Sequence, residues 1–100
     1  MTERVELTFV AIGYNEAATL EACIASLRAA TPPGVTAEII YVDAGSQDAS
    51  IETARNAGAD RILGGEKRRR AAENRNLGMQ AARGEMVQFV DGDMTLDPEW

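Results

Sequence analysis

The feature of this sequence that most constrains its fold is a regular alternation of short apolar runs with longer stretches of helical periodicity. The apolar runs cover residues 7–12, 38–42, 61–63 and 85–90. Their length and their β-branched content are typical of buried strands. The stretches between them predict three helices: from Asn15 or Glu16 to about Ala30, from a cap at Ser46 or Asp48 to Gly58, and from about Arg69 to Arg83.

Strands that alternate with helices predict right-handed βαβ units on a parallel sheet. We therefore predict one α/β domain over residues 1–100, with a Rossmann-like parallel sheet flanked by helices in the order βαβαβαβ. The first helix carries apolar residues at i, i+3, i+4 and i+7, from Leu20 to Leu27, which form one face. Cys23 lies within that stripe, so its predicted role is core packing.

The composition excludes several kinds of site. The net charge of -6, from 16 acidic and 10 basic residues, argues against a general nucleic-acid binder, because such proteins rely on clustered Lys and Arg. Histidine is absent and cysteine occurs once, which excludes a disulfide, a structural zinc site and a His-based catalytic dyad or triad within the chain. The available chemistry is that of carboxylates, backbone amides, Arg, Lys and a hard metal ion.

No apolar run approaches the roughly eighteen residues that a membrane-spanning helix needs. The first seven residues include charges where a signal peptide needs its apolar centre. We expect a cytoplasmic location, at the cytoplasmic face of a membrane if the chain is part of a longer protein.

Most of the unusual chemistry follows the predicted strands directly, in residues 13–16, 43–46 and 91–93. Ligands bind beyond the carboxyl ends of the strands in open parallel sheets. Asp91 and Asp93 flank Gly92, and two carboxylates on such a bend can face one hard cation that bridges a diphosphate. Most Asp-x-Asp patterns are solvated turns, but the position after an apolar strand favours the metal site.

One further residue and one run of residues each have two possible interpretations. Asp43 ends the second strand and is either a turn or capping carboxylate or an acceptor for a nucleobase imide or a ribose hydroxyl. Residues 67–70 are four consecutive cations at a predicted helix start, where the helix dipole disfavours positive charge. They are either a solvated run or the partners of an anion such as a phosphate. Arg75 and Asn76 follow on the same helix and could both be exposed.

Four segments together resemble family-2 glycosyltransferases, an inverting group with the GT-A fold. Residues 10–16 (VAIGYNE) are similar to the family's first strand and its Tyr-Asn-Glu turn, although Gly13 stands where many members have Pro or Ser. Residues 39–48 (IIYVDAGSQD) are similar to its Val-Asp-x-Gly-Ser-x-Asp segment. Residues 74–78 (NRNLG) with 82–84 (ARG) resemble its Arg-Asn-x-Gly and Ala-x-Gly stretch, and 89–93 (FVDGD) stand where the family has Asp-x-Asp.

The resemblance implies a role for each matching residue. Tyr14 and Glu16 are expected to line a nucleotide pocket, with Tyr14 near the base. Asp43 is expected to hydrogen-bond uracil or another base, and Arg75 to contact the base from the far side. The resemblance places Asp91 beside the ribose or donor sugar and at the metal. It makes Asp93 the ligand of a divalent ion, Mg²⁺ or Mn²⁺. The expected donor is a UDP-sugar, with GDP- and dTDP-sugars as alternatives; the acceptor is not indicated.

The resemblance also implies what the chain lacks. Family members deprotonate the acceptor with a later Asp or Glu, which would lie beyond Trp100, so we expect the nucleotide-binding half alone to transfer no sugar. We also expect the edge of the last strand, if uncovered, to support self-association. A non-catalytic nucleotide-binding module is the alternative function. A sugar-phosphate nucleotidyltransferase fits less well, because Gly-x-Gly-Thr-Arg does not follow the first strand.

Overall fold

The computed structural model describes residues 4–97 and contains the predicted seven elements in the predicted order. The strands are β1 (Leu7–Gly13), β2 (Ala37–Asp43), β3 (Arg61–Gly64) and β4 (Met86–Asp91), and the helices are α1 (Ala17–Ala30), α2 (Ser50–Asn56) and α3 (Ala71–Ala81). The third helix is two residues shorter at each end than predicted. Its flanking residues Arg70 and Ala82 have extended backbone, with ψ of 161° and 132°.

The four strands form one parallel sheet in the order β3-β2-β1-β4. The two central strands, β1 and β2, are the most apolar and are almost fully buried, as expected for strands covered on both faces. In the described part of the chain β4 pairs only with β1, so it is an edge strand. Met86, at its start, is 67% exposed.

Side chains of alternating residues in the strands enter two separate cores, as the two-residue period of a strand requires. Phe9 and Ala11 of β1 point to the face that α1 covers with Leu20, Cys23, Ile24 and Leu27. Val10 points to the opposite face and packs with Ile40, Val42 and residues of α3. Cys23 is fully buried, which confirms its predicted place in the core.

Gly78 allows α3 to lie close to β1. An ideal Cβ at this position would be 2.3 Å from Cγ1 of Val10, and Val10 is fully buried and β-branched, so it has little freedom to move. Alanine is the better helix former by about 1 kcal/mol. The steric overlap outweighs that gain, since overpacking a core costs about 1–3 kcal/mol.

We therefore expect Gly78→Ala to lower the melting temperature of the protein. Met79→Ala is the matched control, because Met79 is the next residue of the same helix and is 51% exposed. Thermal unfolding followed by circular dichroism compares the two variants. An unchanged or raised melting temperature for Gly78→Ala would show that the helix is not held against Val10.

A buried carboxylate joins three segments at the amino edge of the sheet. Glu38 of β2 is 3% exposed. Its Oε2 accepts hydrogen bonds from the Thr8 hydroxyl at 2.7 Å and from the Arg83 backbone N–H at 2.8 Å. Its Oε1 lies 3.1 Å from Nη2 of Arg83 and 3.3 Å from Nη2 of Arg61. Glu38 thus ties β1, β3 and the loop before β4 to the centre of the sheet.

Within residues 4–97, none of the three helices combines the length and the hydropathy that a membrane-spanning segment requires.

Candidate functional site

The register of the sheet brings the polar segments that follow the strands to one edge. Gly13 of β1 is paired with Asp43 of β2, and Ile12 of β1 is paired with Asp91 of β4. Adjacent strands lie about 4.8 Å apart. The backbone continues these pairings beyond the strands, because the Gly92 N–H donates to the Ile12 carbonyl at 2.8 Å and the Ala44 N–H donates to the Gly13 carbonyl at 2.9 Å. The segments after β1, β2 and β4 therefore lie together at the carboxyl edge of the sheet.

A cleft of about 390 Å³ opens at this edge. Its lining includes the carboxylates of Glu16, Asp91 and Asp93 and the three arginines at residues 68–70. Glu16 lies against the turn after β4, since its Cγ is 3.4 Å from the position of a Cβ on Gly92. Tyr14 also lines the cleft. Four of the six predicted site residues therefore share one cavity.

Tyr14 carries the guanidinium of Arg68 on its ring. The carbon at the centre of that guanidinium is 3.7 Å from the ring centroid, well within cation–π distance. Nη1 of Arg68 also donates to the Ala44 carbonyl at 3.1 Å. Arg68 thus connects the turn after β1 to the turn after β2 across the mouth of the cleft.

The turn after β1 is hydrogen-bonded to the turn after β2 and to the start of α2. Asn15 has a φ of 52°, a left-handed conformation that Asn tolerates better than most residues. Its N–H donates to Oγ of Ser46, and its Oδ1 accepts the N–H of Gln47, both at 2.8 Å. The Glu16 N–H donates to Oγ of Ser50 at 2.8 Å. These bonds fix the backbone on which Tyr14 and Glu16 stand.

Asp43 is fully buried, and its carboxylate accepts four hydrogen bonds from the protein. Oδ1 accepts from the Tyr41 and Ser46 hydroxyls, each at 2.7 Å, and Oδ2 accepts from the N–H groups of Ser46 at 2.7 Å and Gly45 at 3.0 Å. Asp43 does not line the cleft. Its contact with a nucleobase stays a prediction, and a base could bind to it only by replacing one of these donors.

Tyr41 is a partner of Asp43 that sequence reasoning treated only as a strand residue. Burial raises the pKa of its hydroxyl, and the hydrogen bond to Asp43 raises the pKa further, so the group stays a neutral donor. A Cβ at Gly13 would lie 2.9 Å from this hydroxyl. A side chain at position 13 would therefore disturb the Tyr41–Asp43 bond.

Arg75 is exposed and does not line the cleft, whereas the preceding residue, Asn74, is 1% exposed and does. Successive helix residues are rotated by about 100°, so Asn74 and Gly78 face the sheet while Arg75 and Asn76 face outward. The predicted contact of Arg75 with a base stays a prediction. Asn74 belongs to the matched segment 74–78, but the resemblance gave it no role, so the sequence did not indicate that it faces the cleft.

Asp91 and Asp93 were also predicted to bind a metal ion. In residues 4–97 no three or more His, Cys, Asp and Glu side chains lie close enough together to form a complete metal site. The two carboxylates nonetheless fit Mg²⁺ or Mn²⁺ bound with a nucleotide, because Mg²⁺ commonly takes one or two carboxylates and fills its shell with substrate phosphates and water. The same turn contacts the core: Sγ of Cys23 is 3.7 Å from the Asp91 carbonyl, and burial raises the pKa of this thiol to about 11.

Comparison with known proteins identifies the family of this chain. A family model described as "Glycosyl transferase family 2" matches residues 8–100. The chain belongs to glycosyl transferase family 2. Among curated family relatives, the glycosyltransferase AglE of Haloferax volcanii is 31% identical over 91 residues, which cover 87% of this chain and 30% of AglE. The chain spans about 26–31% of the length of the curated relatives it matches.

Two solved structures share the fold of this family-2 chain. The mannosyltransferase PcManGT of Pyrobaculum calidifontis, solved with GDP-Man and Mn²⁺, has a TM-score of 0.82 and 26% identity over 94% of this chain and 29% of its own. The glucosyl-3-phosphoglycerate synthase of Mycobacterium tuberculosis, solved with UDP, Mn²⁺ and glucosyl-3-phosphoglycerate, has a TM-score of 0.79 and 28% identity over 94% of this chain and 36% of its own. The predicted family and the GT-A type of α/β fold are confirmed.

Proposed function

We propose that this chain is the donor-binding part of a glycosyltransferase that takes a nucleoside-diphosphate sugar and transfers the sugar with inversion. The observation that carries the proposal is the joining of Tyr14, Glu16, Asp91 and Asp93 in one cleft at the carboxyl edge of the sheet, in a chain of family 2. The expected donor is a UDP-sugar, with GDP- and dTDP-sugars as alternatives. Structural neighbours solved with UDP and with GDP-Man support this class of ligand.

In the proposed reaction an acceptor hydroxyl forms a bond to the anomeric carbon while the bond from that carbon to the diphosphate oxygen breaks. Asp91 and Asp93 would hold Mg²⁺ or Mn²⁺, which offsets the charge that develops on the leaving diphosphate. Tyr14 would contact the base with the ring face that Arg68 does not cover, and Glu16 adds negative charge beside the metal carboxylates. The acceptor proton goes to a carboxylate that we propose lies in a further part of the protein. General-base help is worth about 10²–10⁴-fold in rate.

Calorimetric titration with UDP, GDP and dTDP, with and without Mn²⁺, tests donor binding. We expect one of the three to bind in a saturable way and more tightly when Mn²⁺ is present. A folded sample that binds none of them in the presence of Mn²⁺ would contradict the proposal. The three affinities also identify the base that the cleft prefers.

The second candidate function is a nucleotide-binding module without catalysis, because the three carboxylates that line the cleft, Glu16, Asp91 and Asp93, are those proposed for the nucleotide and its metal. We propose that the present chain binds donor but transfers no sugar. We also propose that the β4 edge is either covered in a longer protein or pairs with a second copy. Sugar transfer by this chain, in a sample that light scattering shows to be a stable monomer, would contradict both statements.

A further inference from the structure

The arginines that line the cleft belong to an unusual concentration of positive charge for this protein. Residues 67–70 hold four of the ten basic residues of a chain whose net charge is -6. Arg68, Arg69 and Arg70 all line the cleft, which the carboxylates of Glu16, Asp91 and Asp93 also line. Arg69 and Arg70 directly precede α3, whose N-terminal end carries partial positive charge. Cations at this place raise the energy of the empty protein and favour a bound anion.

Arg69 has a side-chain donor that no residue within 4–97 accepts. Its side chain is 14% exposed, and Nη2 pairs with the carboxylate of Glu66. Nη1 is buried and has no hydrogen-bond partner in the described part of the chain. A buried charged donor without a partner is costly, and an anionic ligand would remove that cost.

Asn74 supplies a second, independent sign of a ligand. The residue is 1% exposed and lines the same cleft. Its Nδ2 donates to the Arg69 carbonyl at 3.3 Å, which identifies Oδ1 as the remaining acceptor. Within residues 4–97 this Oδ1 is buried without a partner. A ligand that satisfies both residues carries an anionic group for Arg69 and a hydrogen-bond donor, such as a hydroxyl, for Asn74.

We propose that Arg69 and Arg70 bind a phosphate of the nucleotide directly, and that Asn74 accepts a hydrogen bond from a sugar hydroxyl of the same molecule. This inference rests on the proposed function. It adds a pair of arginines that bind phosphate in the absence of a metal ion. Asp91 and Asp93 reach the diphosphate only through a cation, because carboxylates repel phosphate. The arginines attract the phosphate by charge-assisted hydrogen bonds. Part of the affinity for a nucleoside diphosphate should therefore survive removal of the metal.

The test compares UDP with uridine in the presence of EDTA, by calorimetry. We expect the wild-type protein to bind UDP at least about tenfold more tightly than uridine without metal, as charge-assisted bonds to phosphate require. Arg69→Gln and Arg70→Gln should reduce this preference severalfold and leave uridine affinity unchanged. Arg55→Gln is the control, because Arg55 is an exposed arginine of α2 outside the cleft.

Asn74→Ala separates the hydroxyl contact from the phosphate contact. We expect it to weaken UDP binding but not the binding of inorganic pyrophosphate, which has no sugar hydroxyl. Melting curves establish whether each variant is folded. Arg70 is exposed, so we expect the Arg70→Gln variant to fold.

Equal affinity for UDP and uridine in EDTA, or unchanged UDP affinity in both arginine variants, would overturn the inference. If UDP still binds with Mn²⁺ in that case, the proposed function stands and only the arginine contact fails. If no nucleotide binds even with Mn²⁺, both fail.

Discussion

Asp93→Asn is expected to remove most of the gain in UDP affinity that Mn²⁺ provides, a loss of about tenfold or more in the presence of metal. The asparagine amide has the size of the carboxylate but no charge, and hard divalent cations depend on charged oxygen ligands. Asp93 is exposed on the turn after β4. Surface substitutions usually change stability by no more than about 0.5 kcal/mol, so the melting temperature should be unchanged. Calorimetry of UDP with Mn²⁺ and with EDTA measures the effect.

Glu52→Gln provides the control for the Asp93 variant. Glu52 is an exposed carboxylate in the first turn of α2 and does not line the cleft, so it should keep the full Mn²⁺ effect. An Asp93→Asn protein that melts well below the wild type while its nucleotide affinity is unchanged would show that Asp93 is structural.

Glu38→Gln is expected to lower the free energy of unfolding by about 2 kcal/mol, which corresponds to roughly 10 °C in melting temperature for a domain of this size. The substitution keeps the volume but removes the charge that balances Arg61 and Arg83. Arg83 is 56% exposed and Arg61 35%, so water screens part of the loss and the effect stays below that of a fully buried pair. Urea denaturation measures it, with Glu21→Gln on the exposed face of α1 as the control.

The same variant should reveal a specific pH dependence. Burial raises the pKa of Glu38, but the hydrogen bonds from Arg83 and Thr8 and the charge of Arg61 outweigh burial, so the net pKa lies below its usual value of 4.5. A carboxyl with a depressed pKa in the folded state stabilises the fold at pH above its unfolded pKa and loses that contribution as the pH falls through the folded pKa. The stability difference between wild type and Glu38→Gln should therefore shrink below about pH 4.5. A difference that does not change with pH would show that the charge is irrelevant.

The sequence was sufficient to predict the element order, because each strand and helix carries its own periodicity. It was less accurate at the ends of α3. Arg83 was predicted to be helical, but its backbone N–H bonds to Glu38. Gly84 follows at a point where a Cβ would be 2.6 Å from the Thr8 N atom. These contacts across the sheet end the helix early, and nothing local in the sequence indicates them.

The site was predicted unevenly for a similar reason. Residues that follow strands, such as Tyr14 and Asp93, could be placed at one edge because parallel strands end together. Which residue of α3 faces the cleft depends on the rotation of the helix, and Gly78 against Val10 sets that rotation so that Asn74 faces inward instead of Arg75. The carboxylate of Asp43 has its hydrogen bonds filled by donors that include the Tyr41 and Ser46 hydroxyls. A sequence motif does not indicate such contacts.

The central claim is that the donor nucleotide binds at the carboxyl edge of the sheet, and amide NMR spectra recorded during a titration with UDP and Mg²⁺ test it most directly. We predict the largest shifts in the turns after β1, β2 and β4, at residues 13–16, 44–46 and 92–94, and in residues 68–71 before and at the start of α3. The opposite edge offers a built-in comparison, a groove lined by Arg4, Glu6, Thr36 and Glu85, whose amides should stay unchanged. Shifts concentrated in that groove, or no shifts at either edge, would contradict the account.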